Sequence, residues 1–297
     1  MATIADEKTP FLESQVQDNI QYRRHNRDAR HGVGRFIIKR VIAFVIFLFI
    51  FRWLLHAGWL GRRFNKFTDI SEGRERRIDT GFQPLNGEFD LYDLLSINST
   101  AGSLILSINP QPADEQNPVP AELLISSLAG QISIDFPAIN APNRDYRVSI
   151  DSHHGSIDGN ILHGRMTSIS SKTASIAVEL TPYAADDYTS TIRTSCKTGA
   201  HKVSVLSPTE SGVPIKEMSS MHSTSTGSLV LHYPKEWEGT IEGDTKVGSL
   251  NLHGGDLEII CQESRNTVGR YVLAKKGNGN STLNFHVGIG SVNVYFD

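Results

Sequence analysis

The chain has 297 residues, 39% of them hydrophobic, a formal net charge of -3 and two cysteines. That apolar content is enough to build a core and excludes a wholly disordered chain. Charge is uneven: residues 81–297 carry 14 Lys and Arg against 23 Asp and Glu, an acidic balance that argues against nucleic acid as a partner.

Residues 1–35 are polar, contain Arg23, Arg24 and Arg27, and lack helical apolar periodicity. They read as a disordered basic tail drawn to anionic lipid headgroups. Residues 36–60 are the one long apolar stretch, and about 20 such residues cross a bilayer. One transmembrane helix is expected here, in the register 41–60 or 36–55. The first register holds Arg52 inside the span, at about 2.5–3.5 kcal/mol; the second asks Lys39 and Arg40 to snorkel. Trp53 and Trp59 lie where an aromatic belt would sit. An interfacial or buried helix is the alternative. A cleaved signal peptide is disfavoured, because a long polar segment precedes the apolar run and no small-residue cleavage pattern follows it.

Cations flank the span almost evenly, with a slight excess before it that favours a cytoplasmic N-terminus. Both Asn-x-Ser/Thr acceptors, Asn98 and Asn280, and both cysteines, Cys196 and Cys261, follow the span. Lumenal or extracellular placement of the C-terminal part makes sense of both. Residues 61–86 are charged and lead into Pro84-Leu85-Asn86-Gly87, which reads as a stalk; the first strand is expected near 88–92.

From there to the end one pattern recurs eight times, a Gly, usually a Ser, then apolar residues at every second position. Gly102-Ser103-Leu104-Ile105-Leu106-Ser107-Ile108, Gly227-Ser228-Leu229-Val230-Leu231 and Gly290-Ser291-Val292-Asn293-Val294-Tyr295-Phe296 are clear copies. Period-two alternation bounded by Gly predicts short strands with one buried face, and spacings of 20 to 30 residues predict stacked coils. The expected fold is mainly β, a β-solenoid over 87–297, with a β-sandwich as the alternative. Two stretches interrupt the strands, the Pro-rich 109–120 and the Ser/Thr-rich 207–226, and both are expected to be mobile loops.

The chain has no phosphate loop ending in Gly-Lys-Ser/Thr, no His-Glu-x-x-His, no Gly-x-Ser-x-Gly and no Cys-x-x-Cys. No catalytic residue, metal or cofactor is therefore expected. The acids Asp135, Asp151, Asp158, Glu179 and Asp256 are the candidates for glycosidic cleavage, which needs a close carboxylate pair. Fifth positions after the repeat Gly should point outward and form a ladder that includes Asp135, His232, His253 and Tyr295. If coils stack in chain order, His232 and His253 fall on successive rungs, where two imidazoles share a metal or, more simply, lie on a polar surface. Alternation directs Cys196 and Cys261 toward the core, consistent with a disulfide or with two buried thiols.

The stretch Trp237-Glu238-Gly239-Thr240-Ile241-Glu242-Gly243-Asp244-Thr245-Lys246-Val247-Gly248-Ser249-Leu250-Asn251-Leu252, followed by Asp256-Leu257-Glu258-Ile259-Ile260, resembles the adhesin-like β-repeat domains of bacterial proteins and of fungal membrane-anchored proteins of unassigned function. The resemblance covers roughly residues 87–297. It implies a right-handed β-helix or related solenoid with no catalytic residues to carry over. The expectation is a single-pass membrane protein whose partners are the lipid bilayer and a glycan or protein ligand. The alternatives are a membrane-tethered carbohydrate-active enzyme and a structural subunit.

Overall fold

In the computed structural model the described residues are 67–183, 189–207, 217–265 and 268–297. The expected tail, the membrane helix and the first part of the stalk lie outside them. Among the described residues no helix is long and apolar enough to cross a membrane.

Within the described part of the stretch expected to be a stalk, residues 68–72 and 75–79 are strand. β1 (Thr68–Glu72) and β2 (Glu75–Asp79) form an antiparallel hairpin at one edge of a sheet. Their side chains are mostly charged because one edge of the hairpin faces water, where charge blocks unwanted strand addition. Arg76 donates to both carboxylate oxygens of Asp69 at 2.7 and 3.1 Å. That bond outweighs burial and holds the Asp69 carboxyl below its ordinary value.

Thereafter the chain alternates between two sheets. β3 (Leu85–Leu91) leads to β4 (Leu94–Ser99), then β5 (Leu104–Pro110), β6 (Ala121–Ala129), β7 (Ile132–Asp135) and β8 (Tyr146–His154). β9 (Ile157–His163), β10 (Met166–Thr173), β11 (Ile176–Pro182), β12 (Ser190–Thr198) and β13 (His201–Val205) continue the alternation. So do β14 (Met218–Thr226), β15 (Leu229–Tyr233), β16 (Gly239–Val247) and β17 (Leu250–Gly254). A hairpin of β18 (Leu257–Arg265) and β19 (Gly269–Lys276) follows, and β20 (Ser281–Ile289) and β21 (Val292–Phe296) complete the chain. The first sheet has twelve strands and the second nine. Pairing is parallel apart from β1/β2, β16/β19 and β18/β19, so the hairpin-built sandwich kept as an alternative is not what forms.

Each rung is one strand of the first sheet, a corner that is Gly except at Ala174 between β10 and β11, and one strand of the second. Alternate side chains of both sheets point into one continuous core, with Leu104, Leu106, Ile132, Ile134, Leu229, Leu231, Val292 and Val294 essentially excluded from water. Burying each such side chain contributes about 1.5–3 kcal/mol. The corner glycines stack on one another. A Cβ on Gly227 would overlap the carbonyl oxygen of Gly199 and lie 2.8 Å from its carbonyl carbon, and φ there is 141°. Beside the corner, the inward row Ser127, Ser152 and Cys196 donates to carbonyls of the turn: Ser127 to Ala129 at 3.2 Å, Ser152 to Gly155 at 3.0 Å and Cys196 to Ala174 at 3.1 Å.

Rung order departs from chain order at one place. The last strands, β20 and β21, lie between β14/β15 and β16/β17 in their respective sheets. The chain therefore builds one rung too far, turns back through the β18/β19 hairpin and fills the gap it left.

The two expected loops have different outcomes. Residues 111–120 are pinned: the buried Arg144 guanidinium donates to the carbonyls of Gln111 (3.0 Å) and Val119 (2.5 Å) and to Asp93 Oδ1 (3.0 Å). Arg74 donates to Asp93 Oδ2 at 2.9 Å and to the Pro112 carbonyl. Burial alone would raise the Asp93 carboxyl, and the two arginines more than reverse this. Arg144→Met should cost about 3 kcal/mol, the cost of breaking a buried ion pair from one side, read as a lower urea midpoint together with faster proteolysis within 111–120. Of the second stretch, 217–226 is mostly β14, and 208–216 lies outside the described residues. β14 reads as a loop because its inward positions hold Ser220, His222 and Thr224, all buried, in place of the apolar residues that announce a strand.

Candidate binding surface

The outward side chains of the second sheet form one unbroken row. Register places Glu88 beside Ser107, then Asp135, Asn160, Glu179, Ser204, His232, Tyr295 and finally His253. Nine strands at about 4.8 Å make a track roughly 38 Å long. The positions counted fifth after the corner Gly all fall in it.

Tyr295 is intercalated between His232 and His253. Its ring lies 4.7 Å from each imidazole, with interplanar angles of 13° and 10°. The two imidazoles are therefore two rungs apart, about twice the distance expected from chain order. Metal–nitrogen bonds are about 2.0–2.1 Å, so the pair does not share an ion. Among the described residues no group of three His, Cys, Asp or Glu is placed to hold a metal. The ladder presents ring edges to solvent, His232 Nδ1 lies 3.3 Å from Asp297 Oδ2, and a parallel Asn251–Asn293 amide bond of 3.0 Å runs alongside.

Two shallow depressions lie along the same face. One of about 560 Å³ is lined by Gly87, Glu88, Ser107, Asp135, Gly159 and Asn160. The other, about 310 Å³, has Glu179, Lys202, Ser204, His232 and Asp297 around it. Asp158 accepts from Gln131 Nε2 (2.8 Å) and Ser133 Oγ (3.0 Å), which ties neighbouring rungs.

The candidate acids are spread over both sheets and a turn, and only Asp135 and Asp158 among them stand on neighbouring strands of one face, offset by two residues. Asp135 and Asp158 share the second sheet's outer face, Glu179 stands beyond Asn160 on β11, Asp151 lies on the first sheet bonded to Ser170, and Asp256 occupies a turn with φ 58°. On the first sheet's outer face, a different pair, Glu242 and Asp244, borders a depression with Tyr271 and His286. Tyr271 donates to Glu242 at 3.1 Å, and His286 Nδ1 is 2.9 Å from Asp244 Oδ1.

Neither cysteine is in a disulfide. Cys196 is on β12, facing inward, where burial pushes its thiol up. Cys261 is on β18, five strands away in the same sheet, roughly 24 Å at 4.8 Å per strand and far beyond disulfide reach. Of the two readings, disulfide or separate thiols, the disulfide does not form. Both glycosylation acceptors are exposed, Asn98 on β4 between Asp79 and Ser126, and Asn280 in the turn before β20.

The interior holds polar groups that periodicity did not reveal. Tyr233 Oη is 2.8 Å from His222 Nε2; His222 Nδ1 is 2.7 Å from Thr194 Oγ1; that hydroxyl is 2.7 Å from His201 Nε2; and His201 Nδ1 is 3.0 Å from Thr224 Oγ1. Burial pushes His201 down to about 4. His222 is held well below its ordinary value, by burial first and by the neighbouring His201 second. A third ring, His163, is bonded to Thr167 at 2.8 Å, and burial pushes it down to about 4. The available signal was parity: His201 is the second residue after Gly199, an inward position.

No protein-family model matches this chain, and neither the curated proteins nor the solved structures hold a significant match to it.

Proposed function

We propose that the stacked rungs form a β-solenoid, carried on a single-pass membrane anchor at 36–60 with its N-terminus cytoplasmic, and that the domain serves as a non-catalytic, adhesin-like binding surface outside the cytosol. The observation that carries this reading is the continuous outward row of the second sheet. A straight, shallow, polar track some 38 Å long suits an extended ligand that makes many weak contacts in register, and it has no deep cleft to enclose a reacting bond. An extended glycan is the favoured ligand class, since hydroxyls and ring edges meet the carboxylates, amides and imidazoles of the track.

A second reading has one specific observation behind it. Glu242 and Asp244 are two residues apart on the same strand face, roughly 6.7 Å by strand geometry, within the spacing of inverting glycosidases at about 6.5–9.5 Å. It would make the protein a membrane-tethered carbohydrate-active enzyme.

One experiment separates the two. The full-length protein in detergent is passed over insoluble β-glucan, chitin, cellulose and mannan, and the supernatants are assayed for new reducing ends. Retention on one polymer, lost in Asp135→Lys/Glu179→Lys and kept in Glu242→Gln, supports the binding surface. Release of reducing ends, abolished by Glu242→Gln, supports the enzyme and sinks the first reading; no retention on any polymer excludes a glycan ligand from this set. Topology is tested by glycosidase treatment of membranes: a mobility shift lost in Asn98→Gln/Asn280→Gln is expected, and a domain digested only by protease on the cytosolic side would overturn the placement.

A further inference from the structure

The outward row of the second sheet narrows at Ser204. Glu179 on β11 stands to one side of it and His232 on β15 to the other, both in register with it. Val203 and Val205 are buried in the core, so the Ser204 side chain points outward between two much longer neighbours. A small residue there leaves a shallow slot, the depression of about 310 Å³. Glu179 and His232 are its walls and Ser204 its floor; Lys202 lies at one end, Leu206 and Pro234 at the other.

The width of the slot matches one ring. Glu179 and His232 are two rungs apart, roughly 9.6 Å. The next interval of two rungs, from His232 to His253, is filled by the Tyr295 ring at 4.7 Å from each imidazole. Ser204 holds the equivalent place in the row and supplies no ring. The His232 imidazole is fixed in position: Tyr295 covers one face at an interplanar angle of 13°, and Asp297 Oδ2 lies 3.3 Å from Nδ1. Its other face is turned to the slot. On the floor, Ser204 is 9% exposed and its hydroxyl has no hydrogen-bond partner among the described residues. A polar group so enclosed takes its partner from whatever enters the slot.

The groups around the slot select among flat rings. An aromatic face is the negative side of the ring quadrupole and attracts C–H bonds. The Glu179 carboxylate only accepts hydrogen bonds, the Lys202 ammonium only donates them, and the Ser204 hydroxyl does both. A pyranose answers all of these, with C–H bonds on its face and hydroxyls around its rim. A purely aromatic ring fills the same width but leaves the carboxylate and the ammonium unanswered, and an anionic ring would meet Glu179 and Asp297. Stacking on His232 also sets the ring plane across the track, whereas the rings of an extended chain lie along it. A unit in mid-chain cannot enter while its chain lies on the track; the last unit of a chain or branch can.

We infer, resting on the glycan-binding role proposed for the track, that the slot over Ser204 is a subsite for one neutral terminal pyranose unit, stacked on His232 with its hydroxyls on Glu179, Ser204 and Lys202. The subsite makes the surface a reader of chain ends or branches as well as of chain length.

Saturation-transfer NMR tests this on the full-length protein at about pH 7.5 in a detergent without a sugar headgroup. The probes are the methyl glycosides of glucose, N-acetylglucosamine, mannose and galactose, with indole as the aromatic comparison. At least one glycoside should receive saturation, strongest on the C–H protons of one ring face. The signal should fall about fivefold in His232→Ala, the scale of one lost ring contact. It should vanish in Ser204→Phe, whose ring would fill the slot as Tyr295 fills the next interval, and persist in Asp135→Lys, which lies on the track outside the slot. Should Ser204→Phe not fold, Glu179→Gln, with an expected loss of about fivefold, takes its place beside His232→Ala. Glycoside signals unchanged in these variants, transfer to indole alone, or transfer to no probe overturns the subsite. Polymer retention by the unmodified protein separates the two failures: retention that His232→Ala and Ser204→Phe leave intact sinks the subsite alone, and absence of both retention and glycoside signal sinks the glycan-binding role with it.

Discussion

Replacing Gly290 by alanine is expected to remove more than about 4 kcal/mol of stability, a loss seen only when a substitution breaks a packed or strained site. Gly290 is the corner of the inserted rung, with φ at 148°, a backbone setting that L side chains enter at a cost of order 1–3 kcal/mol. A Cβ there would also overlap the carbonyl oxygen of Gly227 and stand 2.7 Å from its carbonyl carbon. Relief by a shift is blocked from the other side, because the Gly290 carbonyl is itself covered by the corner at Gly248. Backbone meets backbone on both faces, and no flexible side chain can yield. Gly255→Ala is the control: it has nothing within 4 Å of the added atom and no positive φ, and its melting point should match the unmodified protein. The measurement is thermal unfolding by circular dichroism with soluble yield. A Gly290→Ala midpoint within a few degrees of the control would mean that the corner backbones are not stacked in this register.

The same corner explains what could be read in advance. Most strands of the second sheet follow a Gly and keep aliphatic residues at inward positions, so Leu104, Ile132, Leu229 and Val292 announce them. Their partners in the first sheet are less visible, because the inward row nearest the corner is filled by Ser99, Ser127, Ser152, Ser171, Cys196 and Thr224. Ser127, Ser152 and Cys196 serve turn carbonyls and Thr224 meets His201, and the small polar row hides the strand period; β14 reads as a loop for this reason. The order of rungs was not legible at all. Gly-to-Gly spacing is the same whether a rung is stacked last or inserted, so Tyr295 between the two histidines could not be foreseen. Cys261 failed through one residue. The bulge between Ile259 and Cys261 shifts the alternation, and Cys261 falls opposite Leu273, which is in register with the outward Glu242. Parity counted from Leu257 then gives the wrong face.

The described domain is also expected to lose much of its stability as pH falls from about 6.5 toward 4. In the unfolded chain His163, His201 and His222 take their ordinary value near 6.5. In the folded state burial lowers His163 and His201 to about 4, and His222 well below its ordinary value. Between these limits the unfolded state binds more protons, so stability rises with pH through the window and is fully present above it. Each pKa unit is worth about 1.4 kcal/mol, so His163 and His201 contribute roughly 3 kcal/mol apiece when the window is crossed. Two such terms come to about 6 kcal/mol, a large share of a typical folding free energy of about 5–15 kcal/mol. The aspartates Asp69 and Asp93, held low by their arginines, act in the same direction at more acid pH, where carboxylates protonate. Urea midpoints measured in steps from pH 7.5 to 4.5 should fall steadily below about 6.5 and be flat above it. His163→Gln should reduce the slope by about one proton, since glutamine keeps the bond to Thr167 and cannot be charged. A midpoint that does not move across the window would mean that these three rings are reached by water and compensated in the folded state, contrary to the dry core in which Thr194, Thr167 and Thr224 are their neighbours.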